Sequence, residues 1–274
     1  MPNRTRRWLT TSLAVLAGAG TLEGVYSESA YSLENFTLFD ALGHRGKPNL
    51  QRLGLQPLAW VGHVWRDGVS HDTVDEEGVR LALKQLPRGI QRFYFDIEEW
   101  PVGNVSPAVR DETRRKLLQV ADLARKYMPS AKFGFYGLPP LITYWPLVEN
   151  RPSELAEWIE SNRHLEPLAE RVDFILPSLY TLYADRAGWL SFATATIQAA
   201  RRYGKPVYPF LWYEYHDSNP LLRDHELDND AWNEELRFCH AHADGIVLWG
   251  RVDRGWSESA AWWQSVRREF QIQP

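Results

Sequence analysis

Apolar segments with strand-like and helix-like spacing alternate along the chain from residue 57 onward. The strand-like segments are residues 57–65, 93–95, 132–136, 172–176, 207–211 and 245–249, whose starts recur roughly every 33 to 42 residues. Between them, apolar residues recur at i, i+3, i+4 and i+7, most clearly at Trp189, Phe192, Ala193, Thr196, Ile197 and Ala200. Ser106-Pro107 is typical of a helix start, because proline fits the first helical position. A helix after each strand is what parallel strands require.

The alternation predicts an α/β fold, a single distorted or incomplete (β/α) TIM-like barrel of about seven strands. No glycine-rich phosphate loop of the GxGxxG or Walker type follows the first predicted strand, which argues against a nucleotide-binding sheet. Several predicted strands end instead in polar and aromatic residues. In a β/α barrel these ends gather at one face, where active sites lie.

The residues before the predicted barrel have the composition of an export leader. Residues 1–19 combine Arg4, Arg6 and Arg7 with a short apolar run and small residues at 17–19, and residues 5–9 resemble a twin-arginine signal. The apolar run is shorter than the ~20 residues that span a bilayer, and no later segment is predicted to do so. We therefore predict an export signal at 1–19, a lead-in at 20–56, a catalytic barrel at 57–274, and a periplasmic or extracellular protein.

Composition narrows the class of protein further. Hydrophobic residues make up 44% and charged residues 24%, as in soluble globular proteins. The formal charge of −4 becomes −7 without residues 1–19, so tight binding to nucleic acid phosphates is not expected. Cys239 is the only cysteine, which excludes an intramolecular disulfide and predicts a small buried residue. The 13 tryptophans fit either an aromatic core or surfaces that stack on sugar rings.

Two carboxylates at the end of the second predicted strand are the main candidates for catalysis. Asp96 and Glu98 are two residues apart, so on an extended strand they share a side and would point into the mouth of the barrel. Neighbouring carboxylates do not ionise independently, and one keeps a proton near neutral pH. A protonated carboxyl beside an aromatic cleft is what a glycosidic leaving oxygen requires. The alternative is an acidic strand end with solvated or helix-capping carboxylates.

Other chemistries have weaker support. Ser178 lies in no GxSxG elbow, and the chain contains no HExxH motif. His240 and His242 face apart on a helix, and the acidic residues at 226–230 are expected to be solvated. The sequence therefore predicts no metal site and no cofactor, and it gives a deacetylase no metal triad.

Five short motifs, each at a predicted strand end and in the same order, resemble the hyaluronidase family of glycoside hydrolases. They are DIEEW at 96–100, FGFYG at 133–137, LPSLY at 176–180, PFLWYEYHD at 209–217 and GIVLWG at 245–250. Each motif is weak alone, but together they cover roughly residues 57–251.

The resemblance implies retaining hydrolysis in which the substrate's own N-acetyl group is the nucleophile. Glu98 would match the proton donor, and Asp96 the residue that orients the acetamido group. Tyr180 and Tyr213 would match tyrosines that contact the amino sugar, and Trp249 the tryptophan that lines its pocket. Tyr136 and Trp100, in the same motifs, are further candidates for substrate contact. Glu99 points away from Glu98 by strand alternation and is interpreted as structural.

Departures from the family pattern bear on the substrate. The family's cysteines are absent, and Arg251 stands where the animal enzymes have serine. A net negative charge would repel hyaluronan, although Arg251 could pair with one uronate. The sequence therefore predicts an endo-glycosidase for a polysaccharide that contains N-acetylhexosamine and is less anionic. A non-catalytic carbohydrate-binding barrel, a glycosidase with an ordinary carboxylate nucleophile, and a lyase remain alternatives.

Overall fold

The structure, a computed structural model, describes residues 36–273, so the predicted export signal lies outside the described residues. Its strands are β1 (Thr37–Leu42), β2 (Gln56–Pro57), β3 (Ala59–Val61), β4 (Arg92–Phe95), β5 (Lys132–Phe135), β6 (Phe210–Trp212) and β7 (Gly245–Gly250). Its α-helices are α1 (Glu76–Lys84), α2 (Pro107–Tyr127), α3 (Trp145–Val148), α4 (Pro152–His164), α5 (Glu166–Arg171), α6 (Arg186–Arg201), α7 (Asn229–His242) and α8 (Ala261–Glu269). In this part of the chain, no helix combines the length and the apolar character that a membrane crossing needs.

The strand pairings run around a ring and confirm the predicted α/β fold with a distorted TIM-like barrel. One parallel sheet has the order β2-β1-β7-β6, and the other has the order β3-β4-β5. The sheets are joined where β2 leads directly into β3, and again by the parallel bridges Tyr136↔Leu176 and Ser178↔Phe210. Residues 175–178 therefore fill the position between β5 and β6 without forming a regular strand.

The first strand of the ring lies in the segment that the sequence analysis assigned to a lead-in. β1 pairs with β7 over six residues, from Thr37↔Gly245 to Leu42↔Gly250, and with β2 on its other side. The predicted start of the barrel at residue 57 is therefore too late. The segment was missed because its pairing partners are distant in sequence, and its short TLFDAL pattern indicates a strand only weakly.

Three predicted strands are shorter than expected, and proline accounts for one of them. Pro209 has no N–H to donate to a ladder and lies inside the predicted strand at 207–211, so the start of that strand is delayed. β6 accordingly begins at Phe210, and the predicted strand at 172–176 pairs only through isolated bridges. The first predicted strand ends at Val61 instead of residue 65, since the chain turns away at Gly62.

Aromatic side chains fill the barrel and attach the helices to it. On the inner side of β4, Tyr94 packs edge-on against Phe210 with ring centroids 4.9 Å apart. On the outer side, Phe93 stacks on Phe133 at 5.5 Å, and Arg125 of α2 covers Phe133. Gly134 is required between these layers, because a Cβ there would lie 2.9 Å from the carbonyl oxygen of Phe174. This inward and outward alternation determines which residues reach the mouth.

Two helices confirm the predictions made for them. α2 begins at Pro107, and the side chain of Ser106 accepts a hydrogen bond from the amide of Val109 as its N-cap. All six residues of the predicted α6 stripe are buried, and so is Cys239 on α7. The short helices α3 and α5 were not predicted, since neither is long enough to show a helical period.

Candidate active site

Asp96 and Glu98 follow β4 at the mouth of the barrel, the face where the carboxyl ends of the strands meet. The amide of Asp96 donates to the carbonyl of Val61, which continues the β3–β4 pairing one residue past Phe95. Asp96 shares the inward side of Tyr94, and its charge contributes to the raised pKa of that tyrosine. Glu98 is exposed one step further out. The expected placement of both carboxylates at the mouth therefore agrees with the structure.

The two oxygens of Asp96 have different surroundings. Oδ2 accepts a hydrogen bond of 3.0 Å from the indole Nε1 of Trp60, whereas Oδ1 is buried and has no partner. The pKa of Asp96 is raised to about 6, mainly by burial; the negative charges of Glu98 and Glu99 act in the same direction, and the hydrogen bond from Trp60 acts against them. Asp96, the inner acid of the pair, therefore retains its proton to a higher pH than a free aspartic acid does.

Four aromatic residues form what we call the aromatic cluster: Tyr136, Tyr180, Trp212 and Trp249. The ring of Tyr180 lies 5.7 Å from both Tyr136 and Trp249, and Trp212 meets Trp249 edge-on at 4.6 Å. The hydroxyl of Tyr136 donates to Ser178 Oγ at 3.1 Å. The pKa of Tyr136 is raised mainly by burial, and the charges of Asp96 and Glu98 contribute in the same direction. Tyr136, Tyr180 and Trp249 are thus brought together near the carboxylates, as the sequence analysis expected.

Three residues near the mouth were missed from the sequence. Trp60 is 49% exposed although it hydrogen-bonds Asp96. His216 stacks on Tyr180 at 5.8 Å, and burial lowers the pKa of its imidazole. Trp212 is fully buried, and its Nε1 has no hydrogen-bond partner. In the sequence, these three residues are distinguished only by lying in or near a predicted strand. That position does not show which side of the barrel each ring faces.

Tyr213 is not part of the aromatic cluster, contrary to the expectation that it contacts the sugar. It follows Trp212 and faces the other way, stacking on Trp262 of α8 with ring centroids 4.3 Å apart. Its hydroxyl is 2.8 Å from Nε2 of the buried His44, whose pKa is lowered by burial. Next to it, the buried carboxylate of Glu214 accepts two hydrogen bonds from Arg254. Tyr213 therefore attaches the β6 end to α8.

Trp100 is also turned away from the mouth, which corrects its prediction as a substrate contact. It is buried, its indole donates to the carbonyl of His71 at 2.6 Å, and its ring meets Trp65 edge-on. The ammonium of Lys116 lies over the remaining face at 5.5 Å. No face of the ring is left for a sugar, and the residue anchors the loop before α1.

The sequence analysis proposed that Arg251 could pair with a uronate. In the structure, however, its guanidinium group is already paired within the protein. Nη1 donates to Asp217 at 3.0 Å and to Asp224 at 2.8 Å, and Nε and Nη2 donate to Asp253. Three carboxylates around one guanidinium leave a net negative charge close to Trp249. The positive charge of Arg251 is therefore neutralised by aspartates of the protein itself and does not offset its acidic charge for a bound uronate.

Within residues 36–273, no group of three or more histidine, cysteine or acidic side chains is arranged to hold a metal ion. The histidines nearest the mouth instead contact aromatic rings, as His63 does with Trp60 at 5.1 Å.

Comparison with known proteins gives matches to hyaluronidases in both sequence and structure. No protein-family model matches the chain. A salivary hyaluronidase of Lutzomyia longipalpis is 27% identical over 143 residues, which are 49% of this chain but only 37% of that protein's length. The crystal structure of bee venom hyaluronidase superposes with a TM-score of 0.61 at 18% identity, covering 86% of this chain and 97% of that one. Its complex with a hyaluronic acid tetramer gives a TM-score of 0.58 at 17% identity, covering 80% and 91%.

The two kinds of match agree with the motifs. The structural matches establish the fold, since identities below one fifth carry little information on activity. The sequence match is partial and independent of the structural one. The resemblance expected from the five motifs is thereby confirmed: the chain is similar in sequence to a hyaluronidase over 49% of its length, and it has the fold of bee venom hyaluronidase.

Proposed function

We propose that this protein is a glycoside hydrolase that cleaves polysaccharides containing N-acetylhexosamine, with retention of configuration at the anomeric carbon. The observation that carries the proposal is the pair Asp96 and Glu98 on one side of the β4 end, beside the aromatic cluster. A binding protein needs the aromatic rings but has no need of a paired donor and acceptor acid. The similarity to hyaluronidases supports the same reaction class.

In the first step, Glu98 transfers its proton to the glycosidic oxygen as the bond to the anomeric carbon breaks. The carbonyl oxygen of the sugar's own acetamido group forms a new bond to that carbon from the opposite face. The result is a cyclic oxazolinium intermediate and a neutral leaving chain. Glu98 is suited to this role because it is exposed and can reach a bound polymer.

In the second step, the Glu98 carboxylate takes a proton from water, and the oxygen of that water attacks the anomeric carbon. The acetamido group is released unchanged, and Glu98 is protonated again. Asp96 acts in both steps by accepting a hydrogen bond from the acetamido N–H, which requires its ionised form. Because its pKa is about 6, Asp96 is ionised in the free protein only above that pH.

The acetamido sugar would lie against the partly exposed rings of Tyr136 and Trp249, both of which contact the buried Tyr180, with Trp60 at the open side. The faces of half-exposed aromatic rings bind the apolar faces of pyranose rings, whereas the hydroxyl or N–H groups of tyrosine and tryptophan form hydrogen bonds. Tyr213 and Trp100 are assigned to support of the site, since both are packed behind it. Lining of this kind is enough to hold a neutral amino sugar.

We further propose that the preferred polymer is less anionic than hyaluronan. Bee venom hyaluronidase binds a hyaluronic acid tetramer in its crystal structure. In this chain, however, Arg251 is paired to three aspartates beside Trp249, and the formal charge is −4. A uronate on every second sugar would meet a negative field at that end of the mouth.

The leader-like composition of residues 1–19 supports the further proposal that the protein is exported. Fractionation of a bacterial host that expresses the whole chain tests this directly. We expect the mature protein outside the cytoplasm, with residues 1–19 removed. A full-length cytoplasmic protein contradicts it.

The test of the activity is product analysis after incubation with hyaluronan, chondroitin and chitin oligosaccharides. We expect the wild type to release products with retained configuration, and Glu98→Gln to lose at least ~10²-fold in turnover. Glu99→Gln is the matched control, because it removes a neighbouring exposed carboxylate that faces His71. Turnover by Glu98→Gln within threefold of wild type excludes Glu98 as the donor.

The nucleophile is tested separately. A thiazoline analogue of the cyclic intermediate should inhibit, since it resembles the high-energy state. Mass spectrometry that finds a sugar covalently attached to Asp96 or Glu99 replaces the substrate-assisted mechanism with an ordinary two-carboxylate one.

A further inference from the structure

A second concave surface lies beside the proposed active site, between the loops that follow β4 and β5. It is a groove of about 480 Å³ bounded by Gly103 and Asn104 on one side, by residues 141–146 on the other, and by α4 below. This volume is in the range of small-ligand sites. Both bounding loops follow strands that carry proposed active-site residues, so the groove opens on the same face of the barrel.

The groove presents large apolar side chains to solvent. Ile142, in the loop after β5, is 45% exposed, and Trp145, the first residue of α3, is 39% exposed. The indole of Trp145 is held in place, because its Nε1 donates to the hydroxyl of Tyr183 at 3.1 Å and the two rings pack 4.7 Å apart. A fixed, half-exposed indole needs no ordering when it binds a flat apolar face.

Two short segments of the chain connect residues of the groove with residues of the aromatic cluster. Ile142 packs over Gly137, the residue after Tyr136, where a Cβ would lie only 3.3 Å from the isoleucine side chain. Gly137 has φ +65°, which also favours glycine there. Tyr183, which holds Trp145, lies three residues after Tyr180 in the same loop. A polymer leaving the aromatic cluster in this direction would reach Trp145 next.

Charge in the groove excludes one class of sugar. Of the described lining residues, Arg151 alone is basic, and it is paired with Glu149 and Glu154. Glu157 also lines the groove and is paired with Arg110. The lining therefore offers a uronate no unpaired cation, whereas an uncharged sugar meets an indole, an isoleucine and polar rims.

We infer that this groove is a distal subsite that binds uncharged sugar rings of the polysaccharide, with Trp145 as the stacking platform. The inference rests on the proposed function for the identity of the polymer. Its observable consequence is a dependence of affinity on chain length, because only a polymer long enough to leave the aromatic cluster can reach Trp145.

The experiment measures binding without turnover. The whole chain with Glu98→Gln is titrated calorimetrically with the disaccharide and the hexasaccharide of chitin. Adding Trp145→Ala should weaken hexasaccharide binding about tenfold, the factor that 1.4 kcal/mol of lost contact gives, and leave the disaccharide unchanged. Ile142→Ala should weaken hexasaccharide binding in the same sense, and its exposed side chain makes loss of folding no concern. Val109→Ala, an exposed residue at the start of α2, is the matched control.

Three outcomes overturn the inference: hexasaccharide affinity that is independent of Trp145, equal losses for both oligosaccharides, or tighter binding of a hyaluronan hexasaccharide than of the chitin one. Hydrolysis by the wild type is measured in parallel. If the wild type cleaves chitin oligosaccharides while Trp145 is dispensable, the groove assignment alone fails. If nothing is cleaved but the hexasaccharide still binds through Trp145, the subsite stands and the proposed hydrolysis fails.

Discussion

The indole N–H of Trp60 donates to Oδ2 of Asp96 at 3.0 Å, and it is the one side-chain donor that either oxygen of this carboxylate has in the described residues. Trp60 lies on β3 opposite Tyr94 of β4, so neighbouring strands provide the donor and the acceptor. The same indole is half exposed at the mouth. One residue therefore both influences the ionisation of Asp96 and contributes to the surface that a sugar would contact.

The first prediction concerns that hydrogen bond. Trp60→Phe removes a donor that stabilises the ionised carboxylate, so the pKa of Asp96 should rise above about 6. The acid limb of the kcat/KM profile should move to higher pH by about one unit, which corresponds to one charge-assisted hydrogen bond. Trp65→Phe is the control, because its indole donates to the carbonyl of Thr73. An unchanged acid limb means that Asp96 does not limit activity at low pH.

The second prediction concerns stability. The pKa of Asp96 is about 6 in the fold and about 3.9 in an unfolded chain, so the native state binds more protons between these values. Stability is therefore lost as pH rises through this window, and the loss is complete above about pH 6. Asp96→Asn should be more stable than wild type at pH 7.5, by about 3 kcal/mol at most, and should show no such gain at pH 3.5. Urea unfolding at both pH values measures the difference, and an equal effect at both contradicts it.

The third prediction concerns a carboxyl behind the aromatic cluster. Glu235 of α7 is completely buried, one of its oxygens accepts a hydrogen bond from Thr181, and the other has no partner. Burial raises the pKa of Glu235 well above its usual range, so wild-type stability falls as pH rises above about 4. Glu235→Gln keeps the acceptor for Thr181, and its stability relative to wild type should grow with pH.

Truncation of the same side chain should have a different effect. Glu235→Ala leaves the hydroxyl of Thr181 without its partner and opens a cavity, at a cost of about 2–4 kcal/mol. Since Thr181 follows Tyr180, we expect KM to rise with alanine and to stay near the wild-type value with glutamine. A rise in KM for both variants, or for neither, shows that Glu235 does not position Tyr180.

The fourth prediction concerns charge at the Trp249 end of the mouth. Cleavage of hyaluronan should be slower than that of a neutral amino-sugar polymer, and it should increase between 0.02 and ~0.2 M salt as repulsion is screened. Arg251→Ser removes the cation that Asp217, Asp224 and Asp253 share and leaves only Asp224 with a second partner, Arg254, so hyaluronan cleavage at low salt should fall further. Arg80→Ser removes the same charge from an exposed pair on α1 and should have little effect. Rapid hyaluronan cleavage that ignores both salt and Arg251 contradicts the proposed preference.

The sequence was informative where local spacing determines the outcome. Asp96 lies on the inward side with Tyr94 because strand alternation has a period of two, and the α6 stripe is buried because helical spacing requires it. Tyr136, Tyr180 and Trp249 are recognisable because each lies at a strand end, and strand ends converge in a barrel.

Features that depend on distant partners were not predictable. Tyr213 follows directly after β6, which ends at Trp212, one residue beyond the predicted end, and its partners His44 and Trp262 lie far away in the chain. The three aspartates that form ion pairs with Arg251 lie in three different turns. Such contacts are set by tertiary packing, for which a single sequence contains no periodic signal.

The pairing of β1 with β7 has a consequence for the synthesis of the chain. The first and last strands of the described residues are hydrogen-bonded neighbours over six positions, so one edge of β1 has no partner until β7 has left the ribosome. Long-range parallel pairing of this kind raises the contact order and slows folding. Meanwhile an unpaired strand edge is a template for aggregation. A chain that stops before Gly245 should therefore accumulate as aggregates, and the ring should close only after translation is nearly complete.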